Sequence, residues 1–193
     1  MNLDLVKKLR DITGAGMVDV KQALTEANDD EAKAIELLRM KGQKIAAKRG
    51  GRETHEGVIE AYVHSNGKVA SVVAVACETD FVARTDDFKS FVHEVALHVA
   101  ATAPQYLNPE EVPVDIIEQE KKIYREQLKT EGKPEAMWDK IIEGKLQKFY
   151  TDNCLLKQKF IKDDSITIEQ MITALIGRIG ENIQITKFAY ITI

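Results

Sequence analysis

The apolar residues change period at Gly57, and that change limits what the chain can fold into. Before it, apolar side chains recur at helical spacing: Leu5, Val6, Leu9 and Ile12, then Val20, Leu24 and Ala27, then Ala34, Ile35, Leu37 and Leu38. After it they alternate. Val58, Glu60, Tyr62 and His64 share one face, and Ile59, Ala61 and Val63 the other. A segment with the helical period cannot bury its apolar residues as a strand, nor the reverse. The chain therefore reads as a helical domain followed by a mixed one, with the division near residue 50.

The first domain, residues 1–50, is expected to be a bundle of three short helices. Thr13-Gly14-Ala15-Gly16 stops the first, because glycine readily takes the positive φ at which a helix ends. A second fits 17–27. Asn28-Asp29-Asp30 offers side-chain oxygens to cap a third, which is expected to stop near Gly42. Residues 43–56 hold Lys44, Lys48, Arg49 and Arg52 around Gly50-Gly51 with few large apolar residues. They read as an exposed connector, helical at most up to Arg49, with 51–56 as the linker proper.

The second domain, 57–193, reads as α+β. Asn66-Gly67 predicts a hairpin, since both residues tolerate the positive φ of a type I′ turn. The return strand, Val69 to Cys77, has small residues on both faces and is expected to be buried. Thr85-Asp86-Asp87 starts a helix with Phe88, Phe91, Val92, Val95 and Val99 as its stripe, ended by Ala103-Pro104. Two further helical stretches, one with Ile116, Ile117, Tyr124 and Leu128, the other with Trp138, Ile141, Ile142, Leu146 and Phe149, flank Gly132-Lys133-Pro134. They predict an antiparallel helical hairpin over 113–152. A helix fits 167–180, and 183–193 alternates as a strand that should join the hairpin strands, because a lone hairpin is marginal. The fold class is thus α+β: a three-helix bundle, then a small antiparallel sheet packed by helices with an antiparallel helical hairpin that protrudes or pairs.

Between strand and helix stand Thr79-Asp80-Phe81-Val82. A large aromatic beside a carboxylate at such a junction suits a pair that is pushed into something else. The rest of the chain offers little chemistry. It contains no Walker-type loop, no H-E-x-x-H and no dinucleotide fingerprint. Cys77 and Cys154 lack metal-type spacing, and a thiol–imidazole pair of Cys77 with His93 or His98 is outweighed by Cys77 as small core filler. Glu78 and Asp80 alone make a weak cation site. Neither a cofactor nor a catalytic residue is expected. The net charge of −4 argues against non-specific nucleic-acid binding. No apolar run reaches the length of a membrane span, and the start of the chain shows no signal or transit pattern.

Three segments together resemble one family. They are Leu9-Arg10 with Thr13-Gly14-Ala15-Gly16-Met17 followed by Asp19, Lys21, Ala23 and Leu24; Glu78-Thr79-Asp80-Phe81-Val82-Ala83-Arg84; and Ile179-Gly180-Glu181-Asn182-Ile183 with Lys187-Phe188. Their order and spacing are similar to translation elongation factor Ts, the guanine-nucleotide exchange factor of elongation factor Tu. Cys154-Leu155-Leu156 to Phe160-Ile161-Lys162-Asp163 fits too, with Lys159 in place of the usual proline. The resemblance implies that residues 1–50 form a ubiquitin-associated-like domain whose Met17, Val18 and Lys21 touch a helix of the GTPase. It implies that Thr79, Asp80, Phe81 and Val82 dislodge Mg2+ from GDP-bound elongation factor Tu. It also implies a cytoplasmic, bacterial-type protein, with an organellar form whose targeting peptide has been removed as the alternative. Longer relatives carry a second half-core before the helical hairpin, but here Phe88–Val99 runs almost directly into Pro104 and the hairpin, so only one half-core fits, and the helical module at the C-terminal end of longer relatives is missing from this sequence. Short relatives compensate by dimerising, so a homodimer in a two-plus-two complex is expected.

Two other readings compete. One is an adaptor binding a peptide or ubiquitin-like partner through the bundle. The other is an RNA-associated protein using Lys44 to Arg52, against which the acidic balance weighs.

Overall fold

The computed structural model describes residues 3–193, and the break in period separates its helical part from its mixed part. Helices α1 (Leu3–Thr13), α2 (Met17–Glu26) and α3 (Glu31–Arg49) come first. Strands β1 (Glu56–Val63) and β2 (Val69–Cys77) follow, then the single turn α4 (Asp80–Ala83) and the long helix α5 (Asp86–Thr102). Next come α6 (Val114–Thr130), α7 (Trp138–Asn153), the short strands β3 (Lys159–Phe160) and β4 (Asp163–Thr167), α8 (Ile168–Ile179) and β5 (Ile183–Thr192).

The main sheet has the order β1-β2-β5, and β3-β4 form a separate two-stranded ribbon. The final strand joins the hairpin as expected. It runs antiparallel to β2: the Ile193 N–H donates to the Lys68 carbonyl at 3.2 Å and the Thr186 hydroxyl to the Ala74 carbonyl at 3.2 Å. That makes β2 the central strand, which explains its small residues. Ser71, Val73, Val75 and Cys77 are buried on one of its faces.

Contacts divide the chain into two compact units. One holds the residues up to Glu60, with Val73–Glu94 and Gln170–Thr186; the other holds Ala61–Val72, Val95–Glu169 and Lys187–Ile193.

In the first unit, α1, α2 and α3 enclose Val6, Leu9, Val20, Ala23, Leu24, Ala27, Ala34 and Leu38. Asn28, at φ 54°, ends α2: its N–H bonds the Thr25 carbonyl, and that of Asp29 bonds the Leu24 carbonyl at 2.9 Å. This pairing satisfies the carbonyls of the last helical turn. Asp30 then caps α3 by accepting from the Lys33 N–H at 3.0 Å. The third helix does not stop near Gly42; it runs on to Arg49. The reason is steric. A Cβ built on Gly177 of α8 would lie 2.8 Å from the Gly42 Cα, so these glycines are where two helices meet backbone to backbone. At the end of α1, Gly14 has φ 65° and lies under the Arg178 side chain.

In the second unit, α6 and α7 form the expected antiparallel pair, with Leu128, Ile142 and Leu146 buried between them and Ile117, Tyr124, Trp138 and Ile141 packed alongside. Gly132, at φ 66°, closes α6, and the Lys133 N–H reaches back to the Leu128 carbonyl at 3.0 Å. His98 is buried. Its Nδ1 accepts from the Ile161 N–H at 3.3 Å, so Nε2 carries the proton donated to Gln158 Oε1 at 3.0 Å. The β1–β2 connection differs from the expected type I′ turn. Of Asn66 and Gly67 only Gly67 has positive φ, and the loop closes through Gly67 N–H to His64 carbonyl, 2.8 Å. Asn66 instead accepts from the Lys68 N–H through its side chain at 2.9 Å, a local bond that asparagine readily forms in turns.

The two kinds of helical glycine give a paired prediction. Gly144 in α7 has nothing within 4 Å of a would-be Cβ, so Gly144→Ala should raise stability by about 0.5–1 kcal/mol. Gly177→Ala must push backbone off backbone and should cost about 1–3 kcal/mol. Urea midpoints of both variants check this, and equal midpoints would contradict it.

Candidate functional site

The exposed junction is built where β2 runs out. Cys77, its last residue, is fully buried, and two residues later the chain turns into α4. Thr79 is in extended conformation (φ −129°, ψ 154°) and caps the turn, its Oγ1 accepting from the Val82 N–H at 3.4 Å. Both of its own donors go to one carboxylate: the Thr79 N–H to Glu181 Oε2 at 3.0 Å and the hydroxyl to Glu181 Oε1 at 2.7 Å.

The preceding residue is held in the converse sense. Glu78 accepts from the Asn182 N–H at 2.7 Å, and Arg49 and Arg52 approach the same carboxylate at 3.3 and 3.2 Å. The Asn182 side-chain amide donates to the Arg52 carbonyl at 2.7 Å. The Asn182 N–H, foremost, and then the Arg52 hydrogen bond and the Arg49 charge hold the Glu78 carboxyl below the usual glutamate range, against the opposing effect of desolvation.

On this frame the four motif residues divide. Thr79 and Val82 are half-buried. Asp80 pairs with Arg84 one turn on, Oδ2 to Nη2 at 2.8 Å. Phe81 is 79% exposed, so it is not a core residue of this chain. Met17 and Val18, at the start of α2, are likewise exposed, at 47% and 76%. Val20 and Leu24 supply the buried face of that helix instead, and Lys21 is half-buried. All seven residues belong to the same compact unit.

Other candidates resolve differently. Glu78 and Asp80 are turned to separate arginines and do not form a ligand pair. Among the described residues no cluster of three or more His, Cys, Asp or Glu could hold a metal ion. The Cys77 thiol donates to the Thr79 carbonyl at 3.2 Å, and burial pushes it up to about 11, which leaves it protonated and unreactive at neutral pH. His93 bonds Glu60 at 2.9 Å and His98 bonds Gln158. Of the basic cluster, Arg49 and Arg52 are taken up by Glu78, while Lys44 and Lys48 stay exposed. Among the described residues no helix is long and apolar enough to cross a membrane.

Sequence reasoning missed Glu78, Glu181, Asn182 and Arg49 as builders of this site. Thr79 and Glu181 are 102 residues apart, a separation at which no spacing rule applies. The available signal was that Glu78 opens the second resemblance segment and that Glu181 and Asn182 lie in the third.

Comparison with known proteins gives the family. The sequence model of the family described as Elongation factor TS matches residues 4–175. A protein named elongation factor Ts from Fervidobacterium nodosum is 57% identical over 188 residues, covering 97% of this chain and 95% of the relative. Namesakes from Syntrophus aciditrophicus and Thermosipho melanesiensis are each 53% identical, over 96% and 98% of this chain and 92% and 96% of their own.

Because the folded Glu78 carboxyl titrates below its unfolded value, its stabilisation is fully present above the unfolded value of about 4.3 and is lost as pH falls through the lower folded one. Urea unfolding of wild type and Glu78→Gln should show a gap at pH 7 that shrinks below about pH 4. A gap independent of pH would contradict the assignment.

Proposed function

The chain belongs to the elongation factor Ts family of translation elongation factors, and on that premise we propose that it is the guanine-nucleotide exchange factor of elongation factor Tu. It binds the GDP-bound GTPase, displaces Mg2+ and promotes GDP release so that GTP can enter. The observation that carries this reading is Phe81, exposed beside Asp80 on a one-turn helix anchored at its cap.

Nucleotide in a GTPase is held partly by Mg2+ bridging its phosphates. That ion demands near-ideal octahedral geometry, so small displacements of its ligands weaken it sharply. Phe81 wedges into an apolar gap beside the switch elements, and its burial there contributes about 1.5–3 kcal/mol. Asp80 brings negative charge toward the phosphate side and redirects hydrogen bonds near the ion. Coupling is reciprocal, so nucleotide that re-enters expels the factor. No catalytic group of the factor takes part, and no cofactor is needed.

The exposed Met17 and Val18, with Lys21, give residues 1–50 a second grip on the GTPase domain. The protein acts in the cytoplasm, without membrane or direct nucleic-acid contact, and as a homodimer in a two-plus-two complex. The apolar side chains Val63, Val72 and Ile191, left exposed on three strands of the sheet, support self-association. An adaptor working through the bundle alone would leave the exposure of Phe81 without a purpose.

Release of fluorescent GDP from elongation factor Tu is the test. Wild type should accelerate it, and Phe81→Ala should lose roughly tenfold or more of that effect, as the burial energy implies. An inactive wild type would sink the exchange reading; a fully active Phe81→Ala would sink the wedge. Light scattering should give a dimer mass alone and a two-plus-two mass with the partner, and a monomer in both cases would refute dimerisation.

A further inference from the structure

We infer that Glu181 is the positioning residue of the exchange motif: by holding both donors of Thr79, it fixes the turn that presents Asp80 and Phe81. The inference rests on the exchange reading for its functional half and on geometry for the other.

The turn α4 has four residues. A helix that short does not sustain itself, since nucleation fixes several dihedrals for each hydrogen bond gained. Its internal bonds are long: Ala83 N–H to Thr79 carbonyl 3.3 Å, Arg84 N–H to Asp80 carbonyl 3.2 Å, and the cap bond 3.4 Å. At the head of the turn the short contacts are the two from Thr79 to Glu181, while its far end is closed by Arg84 on Asp80 at 2.8 Å and by the Thr85 hydroxyl on the Val82 carbonyl at 2.8 Å.

The geometry says how Glu181 acts. A threonine hydroxyl has one proton and two lone pairs. With the proton committed to Glu181 Oε1, a lone pair is left facing the Val82 N–H, which is what an N-cap requires. Glu181 Oε2 meanwhile fixes the Thr79 backbone. Bonds to a carboxylate are about twice as strong as neutral ones, so Glu181 sets the rotamer of the cap and the cap sets the turn. Glu181 is itself positioned on both sides. Gly180, at φ 82°, ends α8 with its N–H on the Ile176 carbonyl at 2.8 Å, and Asn182 is held by Glu78 and Arg52. A motif ordered in advance does not lose that freedom on binding. Glu181 therefore affects exchange through Thr79, without needing to touch the GTPase.

The experiment has a partner-free arm and a kinetic arm. Glu181→Gln keeps the shape but replaces one acceptor oxygen with an NH2 group. Thr79→Val removes the hydroxyl, and Thr79→Ser retains it. In the free protein, amide hydrogen exchange at Val82, Ala83 and Arg84 should quicken about five- to tenfold in Glu181→Gln and Thr79→Val, the size of a lost N-cap. Val73 and Val95 in the core should be unchanged, as should all of these amides in Thr79→Ser. In GDP release, the maximal rate at saturating factor should fall by a similar ratio, while the half-saturating concentration stays within about threefold, because the Met17–Lys21 patch still binds. The double variant should be no worse than the worse single one, the non-additivity expected of groups acting as a unit. Unchanged amide exchange in α4, or additive losses, would overturn the inference, as would a loss that appears only in the half-saturating concentration. Should Glu181→Gln fail to fold, the Thr79→Val and Thr79→Ser pair carries the same comparison. A wild type that leaves GDP release unaccelerated would refute the exchange reading, and the amide arm would then decide the positioning on its own.

Discussion

Two carboxylates from distant parts of the chain hold each other's neighbours, and the exposed turn after β2 is built on that exchange. Glu78, at the end of β2, accepts from the Asn182 N–H, and Glu181, beside Asn182, accepts from Thr79, beside Glu78. The crossing pins the exit of β2 to the entry of β5. Arg49 and Arg52 extend the arrangement to the end of α3, since both meet Glu78. Charge-assisted bonds of this kind are costly to break singly, because the remaining partner keeps a charge with reduced solvation. The same few residues thus fix a strand end, a strand start, a helix end and the turn between β2 and α5.

What the arrangement presents is as informative as what it holds. A large aromatic left in solvent gains nothing for a free protein. Its position on a one-turn helix tied down by Glu181 fits contact with a partner, and Met17 and Val18 expose apolar surface in the same compact unit. Membership of the elongation factor Ts family supplies the biological setting. The geometry supplies the physical proposal, a preordered wedge and not a catalytic group. Burial raises the Cys77 thiol, and His93 and His98 are hydrogen-bonded to Glu60 and Gln158.

Much of this was legible from residue order. The period change at Gly57, the Asp30 cap, the stripe of α5, the α6–α7 pair and the terminal strand all follow local rules, and the structure contains each. The departures have physical causes that local rules do not carry. Gly42 reads as a helix stop, but its lack of a side chain serves a crossing with Gly177, far along the chain. Asn66-Gly67 reads as a type I′ turn, but only Gly67 takes positive φ and the Asn66 side chain satisfies the Lys68 N–H. The β3–β4 ribbon is too short to leave a periodic signature. Phe81 stood out because of its neighbours in sequence, whereas Glu181 could be understood only from its neighbours in space.

A factor that works by removing the contribution of Mg2+ to nucleotide affinity must lose its effect where the metal is absent, so the metal dependence of GDP release is the decisive measurement. GDP release from elongation factor Tu would be measured with and without saturating factor, in millimolar Mg2+ and again in excess EDTA. Acceleration should be strong in Mg2+ and reduced by roughly tenfold or more in EDTA, where the metal's hold is already gone. The same fold acceleration in both conditions would contradict Mg2+ displacement.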